Sequence, residues 1–205
     1  MLKVTKVAEP DFLLKFKQKH KPQDWNDYDY QIKEQLKKHM LETEQEQYCP
    51  YCERNICDVA TSHIEHIYPR SKFPKKSQDY ENLLTSCNTK NTCGEFKDNK
   101  FTDHFINPVL ENPMEFLVHN IATGKIEPLN KNQHDLAHQR ASYTIETLNL
   151  NEKNLVESRK NLSNLLLGMK KKYQEAEYCE YLKWYLEDKH NFKSLLEWHF
   201  NNCHT

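Results

Sequence analysis

The sequence predicts an α+β fold in which a small cysteine-rich core lies between helical segments. Apolar residues recur at three- and four-residue spacing near the start and again through the last third of the 205-residue chain. Between these parts the helical spacing disappears, five of the seven cysteines cluster, and the strand-like runs are short. We therefore divide the chain into residues 1–47, 48–103 and 104–205.

The first segment, residues 1–47, is rich in lysine at its start and then helical. Ile32, Leu36 and Met40 recur at four-residue spacing after the polar sequence DWNDYD. This pattern predicts a helix over about residues 29–46, and its apolar face is expected to pack on the cysteine-rich segment that follows.

The middle segment, residues 48–103, has few apolar residues to build a core, and its cysteines suggest a metal instead. A C-x₂-C pair is followed by a C-x₅-C pair, and four thiolates complete the tetrahedron of a closed structural zinc site. The predicted ligands are Cys49, Cys52, Cys87 and Cys93. Cys57 is an alternative member of the set, and Cys179 and Cys203 are interpreted as ordinary thiols. Strand-like runs occur in SHIEHIY and ENLLTS.

The third segment, residues 104–205, begins with a predicted β-hairpin and continues as helices. Apolar residues alternate on either side of a Thr-Gly pair in EFLVHNIATGKIEPL. Helical spacing begins at about residue 133, with Asn151 and Asn191 as expected helix N-caps. An aromatic cluster near the end is interpreted as a packed helix face, or as a docking surface if it is exposed; it comprises Tyr178, Tyr181, Trp184, Tyr185 and Trp198.

Charge and hydropathy limit the functional classes. The formal net charge is −1, so no global field attracts nucleic acid, and any polyanion site must be a local basic patch. The mean hydropathy is −0.96, and the sequence has neither an apolar signal segment at its start nor a run of about 18 uncharged apolar residues. We expect a cytoplasmic protein with no membrane partner.

The middle segment resembles an HNH endonuclease. The family pattern reads here as CPYC, EHIYPRSK, ENLL, the SC…TC pair and Lys97. More closely, about residues 7–160 resemble the HNH nuclease subunit of Septu-type anti-phage systems, which is also found with retrons. VAEP, FINPVLENP and TIETLNLNEKNLVESRK support this wider resemblance. It implies a ββα-metal core, stapled by zinc. The helical spacing adds an N-terminal helix and a C-terminal helical extension to this core.

The resemblance also implies catalytic roles. Glu65 occupies the position of a ligand for Mg²⁺ or Mn²⁺, and His66, with an ordinary pKa near 6.5, is the expected general base. Asn82 is expected to orient the imidazole or to brace the loop. Adjacent residues on a strand point to opposite faces, so Glu65 and His66 converge only if the strand ends there, and Pro69 supplies a stop.

The sequence leaves the identity of the third ligand of the catalytic ion open. The family has His or Asn just after the last cysteine, where this chain has Gly94 and then Glu95. We expect Glu95 to fill this position, with Asn88 or Asn91 as alternatives. His63 is another alternative ligand, although a strand histidine more often packs or caps.

A basic loop follows His66 and interleaves cations with Tyr68 and Phe73. Its expected phosphate contacts are Arg70, Lys72, Lys75 and Lys76, with the alternative that this is a solvated loop. Lys97 is expected either to contact phosphate or to cap a short helix.

Three functions are compatible with these features. The first is a metal-dependent endonuclease that cuts DNA, and the second is the same site acting on RNA such as tRNA. The third is a non-catalytic zinc-stapled binding module, favoured by the missing His or Asn after Cys93. The Septu resemblance implies an ABC/SMC-like ATPase partner, and helices over about 133–200 are the expected docking region.

Overall fold

The computed structural model describes residues 1–203 and shows a mixed fold of helices and small sheets, as the sequence predicts. The described residues form seven α-helices and two two-stranded antiparallel sheets. The helices are α1 (Asp11–His20), α2 (Tyr30–Thr43), α3 (Cys93–Lys97), α4 (Leu136–Thr147), α5 (Lys153–Lys172), α6 (Glu175–Glu187) and α7 (Lys193–Asn201). The strands are β1 (Ser62–His66), β2 (Leu83–Cys87), β3 (Leu117–Asn120) and β4 (Lys125–Pro128).

Strands β1 and β2 and helix α3 form a ββα unit in the middle of the chain. The two strands are antiparallel, with Ile64 opposite Thr85 and His66 opposite Leu83. All five residues of β2 are buried, whereas β1 is half-buried at His63 and Ile64. The unit therefore has one covered strand and one strand that reaches the surface.

Helix α2 covers this unit through hydrogen bonds as well as apolar packing. Asp29 caps its first turn by accepting from the backbone N–H of Ile32. The Lys37 ammonium donates to the carbonyls of Val59 and Ser62, at 3.2 and 3.1 Å. Gln45, just beyond the helix, forms a pair of 2.8 Å hydrogen bonds with the backbone of Thr85.

The N-terminal segment contains a second helix, α1, that the apolar spacing did not indicate. It packs with α2 around a small apolar cluster that includes Leu13, Phe16, Trp25, Tyr28 and Leu36. The cluster continues to Tyr80 and Leu83. The N-terminal helices are thereby attached to the start of β2.

The predicted hairpin is confirmed as β3 and β4, with His119 opposite Ile126. Its turn requires glycine, because Gly124 has a φ of 75° and a Cβ there would lie 2.3 Å from the Val156 carbonyl oxygen. The guanidinium of Arg159 on α5 is buried and donates to the carbonyls of Gly124 and Leu150. The hairpin is thus fixed to the helical region.

The helical prediction for the C-terminal region is confirmed, but both expected caps are wrong. Glu152, not Asn151, caps α5, because the Asn151 amide instead exchanges hydrogen bonds with the backbone of Ile126. Asn191 does not cap α7, because this helix begins after Phe192 without a side-chain cap. The side-chain oxygen of Asn191 instead accepts from the Asn55 backbone N–H.

The interpretation of Cys179 and Cys203 as ordinary thiols is also wrong. Cys179 on α6 forms a disulfide with Cys203, which follows α7. Both residues lie in a buried apolar cluster with Leu166, Tyr178 and Leu196. The pairing depends on how α6 and α7 pack, which the spacing of the two cysteines does not reveal.

Among the described residues, no helix combines the length and the apolar character needed to cross a bilayer.

Candidate active site and zinc centre

Four cysteines converge at one end of the ββα unit. Cys49 and Cys52 lie in a tight turn, Cys87 ends β2, and Cys93 begins α3. Their ligand atoms all lie within 4.8 Å of one another and are buried. The sulfurs of Cys49 and Cys93 are 3.8 Å apart, and those of Cys52 and Cys87 are 3.6 Å apart.

These distances suit a structural zinc ion. A tetrahedron with zinc–sulfur bonds of about 2.3 Å has edges of about 3.8 Å, close to the observed separations. Cys57, the alternative member, is exposed and contacts Asn55 instead. The hydroxyl of Ser86 lies 3.8 Å from the Cys49 sulfur and accepts from the Gly94 backbone N–H, so the cysteine cluster is coupled directly to α3.

A cleft of about 510 Å³ opens beside the cysteine cluster, between β1, the basic loop and the start of α3. It is lined by His63, Ile64, Glu65, His66, Pro69, Arg70, Ser71, Gly94, Glu95, Asp98 and Asn99. Strand β1 ends at His66, as the convergence of Glu65 and His66 requires. The expected pair therefore shares one cleft.

Glu65 is buried, and a cation inside the protein balances its charge. The Lys97 ammonium lies 2.8 Å from Glu65 Oε1 in an ion pair and also donates to the His66 carbonyl oxygen. The contact with Oε1 is ionic rather than a directed hydrogen bond. Burial alone would raise the pKa of Glu65, but His63 and Lys97 reverse this effect and lower it. The carboxylate is thus kept ionised, as a metal ligand must be.

His66 is held in one orientation by two contacts. Its Nε2 lies 3.0 Å from the Ser77 carbonyl oxygen, and its ring meets the edge of Trp25 at a centroid distance of 4.8 Å. Because a carbonyl only accepts, Nε2 carries the proton, and Nδ1 keeps the free lone pair. Burial lowers the pKa of His66 to about 4, although the hydrogen bond that His66 donates to the Ser77 carbonyl opposes this shift. The expected ordinary pKa is therefore corrected, and the ring is neutral at pH 7.

Asn82 braces the loop and does not contact the imidazole through any hydrogen bond in the described part of the chain. Its amide nitrogen donates to the carbonyls of Tyr68 and Lys76, and its oxygen accepts from the Tyr68 backbone N–H at 2.7 Å. Of its two expected roles, the structure shows the second. Asn82 is a positioning residue for the segment that carries the basic side chains.

The basic loop presents its charges beside the cleft. Arg70, Lys72 and Lys75 are exposed, and Arg70 lines the cleft itself. The ammonium of Lys76 lies 3.7 Å from the centre of the Tyr68 ring, a cation–π contact that holds its side chain. Lys97 differs from this group because its side chain is fully buried against Glu65. As placed, it serves the carboxylate and does not reach a phosphate at the surface.

The candidates for the third ligand lie in different places. Glu95 lines the cleft, but its Oε2 accepts from the Asn91 backbone N–H at 2.7 Å. Asn88 contacts His63, with its Oδ1 2.8 Å from His63 Nδ1. His63 itself lies next to Glu65, with Nε2 3.8 Å from Glu65 Oε2. Its two-residue spacing from Glu65 on a strand is the sequence signal for this proximity.

Comparison with known proteins supports the resemblance in part. No curated protein matches the chain. Residues 49–93 match the family model described as HNH endonuclease, a stretch that begins at the first zinc-type cysteine and ends at the last. Residues 49–93 are therefore similar to the HNH endonuclease family; this stretch, called the HNH-like domain below, contains the four-cysteine cluster and carries Glu65 and His66 beside the cleft.

Proposed function

We propose that this protein is a metal-dependent endonuclease that hydrolyses phosphodiester bonds in DNA. One observation carries the proposal: an ionised carboxylate and a neutral imidazole share a cleft, beside exposed cations, within the HNH-like domain. Phosphodiester hydrolysis needs an acceptor for the proton of water, and positive charge near the phosphate oxygens. The cleft offers both.

Each residue has a defined task in this reaction. His66 accepts the proton of the attacking water at Nδ1, because Nε2–H is held by the Ser77 carbonyl. Its low pKa keeps the base unprotonated at neutral pH. Arg70 holds a phosphate of the DNA backbone at the cleft, and Lys72 and Lys75 contact neighbouring phosphates of the same DNA strand. Asn82 keeps the loop in place.

The residues present fit a divalent ion at Glu65, because the Lys97 ammonium contacts only Oε1 of this carboxylate. Mg²⁺ or Mn²⁺ bound there would supply Lewis-acid stabilisation of the charge that develops on the phosphate. The structural zinc has a separate role, which is to hold β2, α3 and the C-x₂-C turn together around this cleft.

We also propose a cellular role, which rests on the resemblance of about residues 7–160 to Septu-type nucleases. In that role the protein works in the cytoplasm with an ABC/SMC-like ATPase that senses infection and controls cleavage. The exposed aromatic side chains of α6 and α7 support a docking surface in the C-terminal helices: Trp184 is 52% exposed and Trp198 is 44% exposed. Of these, Trp184 lines a surface groove with Tyr181, and an exposed apolar patch of this kind is typical of partner surfaces.

A cleavage assay tests the proposal. Zinc-loaded protein, alone and with the ATPase, is incubated with supercoiled plasmid and Mg²⁺ or Mn²⁺. We expect the plasmid to be nicked, and His66→Ala to lower the rate by about 10²–10⁴-fold, the usual contribution of a general base. The matched control is His134→Ala, an exposed histidine outside the cleft, which should cut normally.

Zinc content and thermal unfolding of both variants show whether they are folded, because removal of His66 also leaves space beside Trp25. Equal cleavage by folded His66→Ala would overturn the mechanism. A parallel assay with tRNA distinguishes the substrates, since cleavage of RNA alone would make the DNA assignment wrong. No cleavage under any of these conditions would favour the zinc-stapled binding module.

A further inference from the structure

His63 and Glu65 lie on the same face of β1, because side chains two residues apart on a strand point the same way. His63 Nε2 and Glu65 Oε2 are 3.8 Å apart, and both residues line the cleft. This separation is too long for a hydrogen bond. It is short enough for both atoms to bind one cation, since metal–ligand distances are about 2.0–2.3 Å.

The imidazole of His63 is oriented by Asn88. Asn88 Oδ1 lies 2.8 Å from His63 Nδ1, while the Asn88 amide nitrogen lies 3.5 Å from the Ala60 carbonyl oxygen. With the amide set this way, its oxygen faces the ring and accepts from Nδ1–H. The lone pair is then on Nε2, beside the Glu65 carboxylate. A ligating histidine commonly has this arrangement, with its second ring N–H donated to an oxygen.

Gly94 supplies an independent observation about the same space. A Cβ at residue 94 would lie 2.6 Å from His63 Nε2 and 2.7 Å from Glu65 Oε2. Any larger residue at this position of α3 would push these two atoms away. The helix therefore contributes bare backbone here, and the two side chains from β1 occupy the space that a side chain at residue 94 would otherwise fill.

We infer that His63 is a ligand of the catalytic cation together with Glu65, supplied from β1 in place of a ligand from the start of α3. The inference rests on the proposed nuclease function and deepens it. Asn88 is the positioning residue of this ligand, and Glu95 is not needed as the third position. Of the residues considered for the third ligand, this inference selects His63.

The donor set has a consequence for the choice of metal. Carboxylate oxygens suit Mg²⁺ and Mn²⁺, whereas an imidazole nitrogen binds the first-row transition ions better than it binds Mg²⁺. A site with Glu65 and His63 should therefore prefer Mn²⁺ to Mg²⁺. This preference should shrink when the imidazole is removed and the carboxylate is kept.

Electron spin-echo spectroscopy of bound Mn²⁺ tests the inference. The full chain is loaded with one equivalent of zinc and then titrated with Mn²⁺ alone. We expect modulation from an imidazole nitrogen in the native protein and loss of this signal in His63→Gln. Asn88→Ala should lower the Mn²⁺ affinity by about 10- to 100-fold, and His63→Gln should lower it at least as much. His134→Gln, at an exposed histidine, is the matched control and should behave as the native protein.

The other outcomes separate this inference from the proposed function. If Glu65→Gln no longer binds Mn²⁺ but His63→Gln keeps the nitrogen signal, the role of His63 would be overturned. The nuclease proposal would still stand. A nitrogen signal that disappears only in His66→Gln would have the same meaning. Failure of the native zinc-loaded protein to bind any Mn²⁺ would overturn both proposals.

Discussion

The HNH-like domain and the C-terminal helices both depend on cysteines, but they use them in different ways. In the HNH-like domain four sulfurs lie within 4.8 Å of one another and remain separate thiols that suit a metal ion. In the C-terminal helices two sulfurs form a disulfide inside an apolar cluster. Because the four thiols also lie in an apolar cluster, the number of sulfurs that converge, and not the polarity around them, distinguishes the two sites.

The two regions also bury different side chains. Around the cleft the buried residues include Glu65, His66, Asn82 and Lys97, each held by a polar partner. Such groups are costly to bury, and they need a scaffold that holds their partners in place. The C-terminal cluster instead buries residues such as Leu166 and Leu182, which stabilise the fold without external help. The region around the cleft therefore depends more on bound zinc for its stability than the C-terminal cluster does.

Removal of zinc should have the largest effect. Cys52→Ser, or a strong chelator, should unfold the ββα unit and abolish cleavage, because structural zinc binding contributes about 10–16 kcal/mol in small domains. That is comparable to the whole stability of a typical protein, which is about 5–15 kcal/mol. Zinc release and thermal unfolding measure the change.

Cys57→Ser is the matched control for that experiment, because Cys57 is exposed and lies outside the cluster. It should keep one zinc per chain and an unchanged unfolding temperature. If Cys52→Ser retained both zinc and its unfolding temperature, the four-cysteine assignment would be wrong. Thiol titration should also show the disulfide intact after chelation, since it lies in the separate C-terminal cluster.

Loss of the disulfide should have an intermediate effect. Cys203→Ser should lower the free energy of unfolding by about 2–4 kcal/mol, the usual contribution of a cross-link. Zinc content and cleavage should remain unchanged, because neither cysteine contacts the cleft. Urea unfolding of the native protein with and without reductant measures the loss, and the reduced native protein should match the variant.

This experiment also bears on the expected compartment. Disulfides are rare in the reducing cytoplasm, so a cytoplasmic protein would carry Cys179 and Cys203 as thiols for much of its life. A loss below about 0.5 kcal/mol would contradict the stabilising role of the pair. It would also mean that the apolar cluster alone holds α6 and α7 together.

The sequence predicts the two regions to different depths. The zinc ligands could be identified because they are grouped in short-range patterns, and β1 and β2 follow from short runs between them. The disulfide could not be predicted, because it depends on the packing of two helices. The pKa of His66 could not be predicted either, because it depends on burial in the folded chain, where the ring contacts Trp25 from a distant part of the sequence.

The role of Lys97 shows the same limit at the candidate site. From the sequence it is one more cation after the last cysteine, and either a phosphate contact or a helix cap explains it. Only the fold places its ammonium against Glu65 with no exposure to solvent. Similarly, the two-residue spacing of His63 and Glu65 is visible in the sequence, but the space left by Gly94 is not.

The smallest predicted effect concerns acid stability of the C-terminal helices. His199 on α7 has Nδ1 3.1 Å from the Tyr178 hydroxyl, and burial, with a smaller effect of Lys170, lowers its pKa to about 4. In the unfolded chain a histidine has a pKa near 6.5. Between these two values the unfolded state binds a proton that the folded state does not, so stability falls as the pH drops from about 6.5 and levels off below about 4.

The unfolded chain takes up most of this proton between pH 7.5 and 5.5, so the loss of stability over this range should be about 1 kcal/mol. His199→Gln has no imidazole to protonate at this position, so its free energy of unfolding should fall less over this range than that of the native protein. The difference between the two proteins gives the contribution of His199 separately from that of the zinc thiolates. Equal pH dependence of the two proteins would show that His199 does not resist protonation in the folded state.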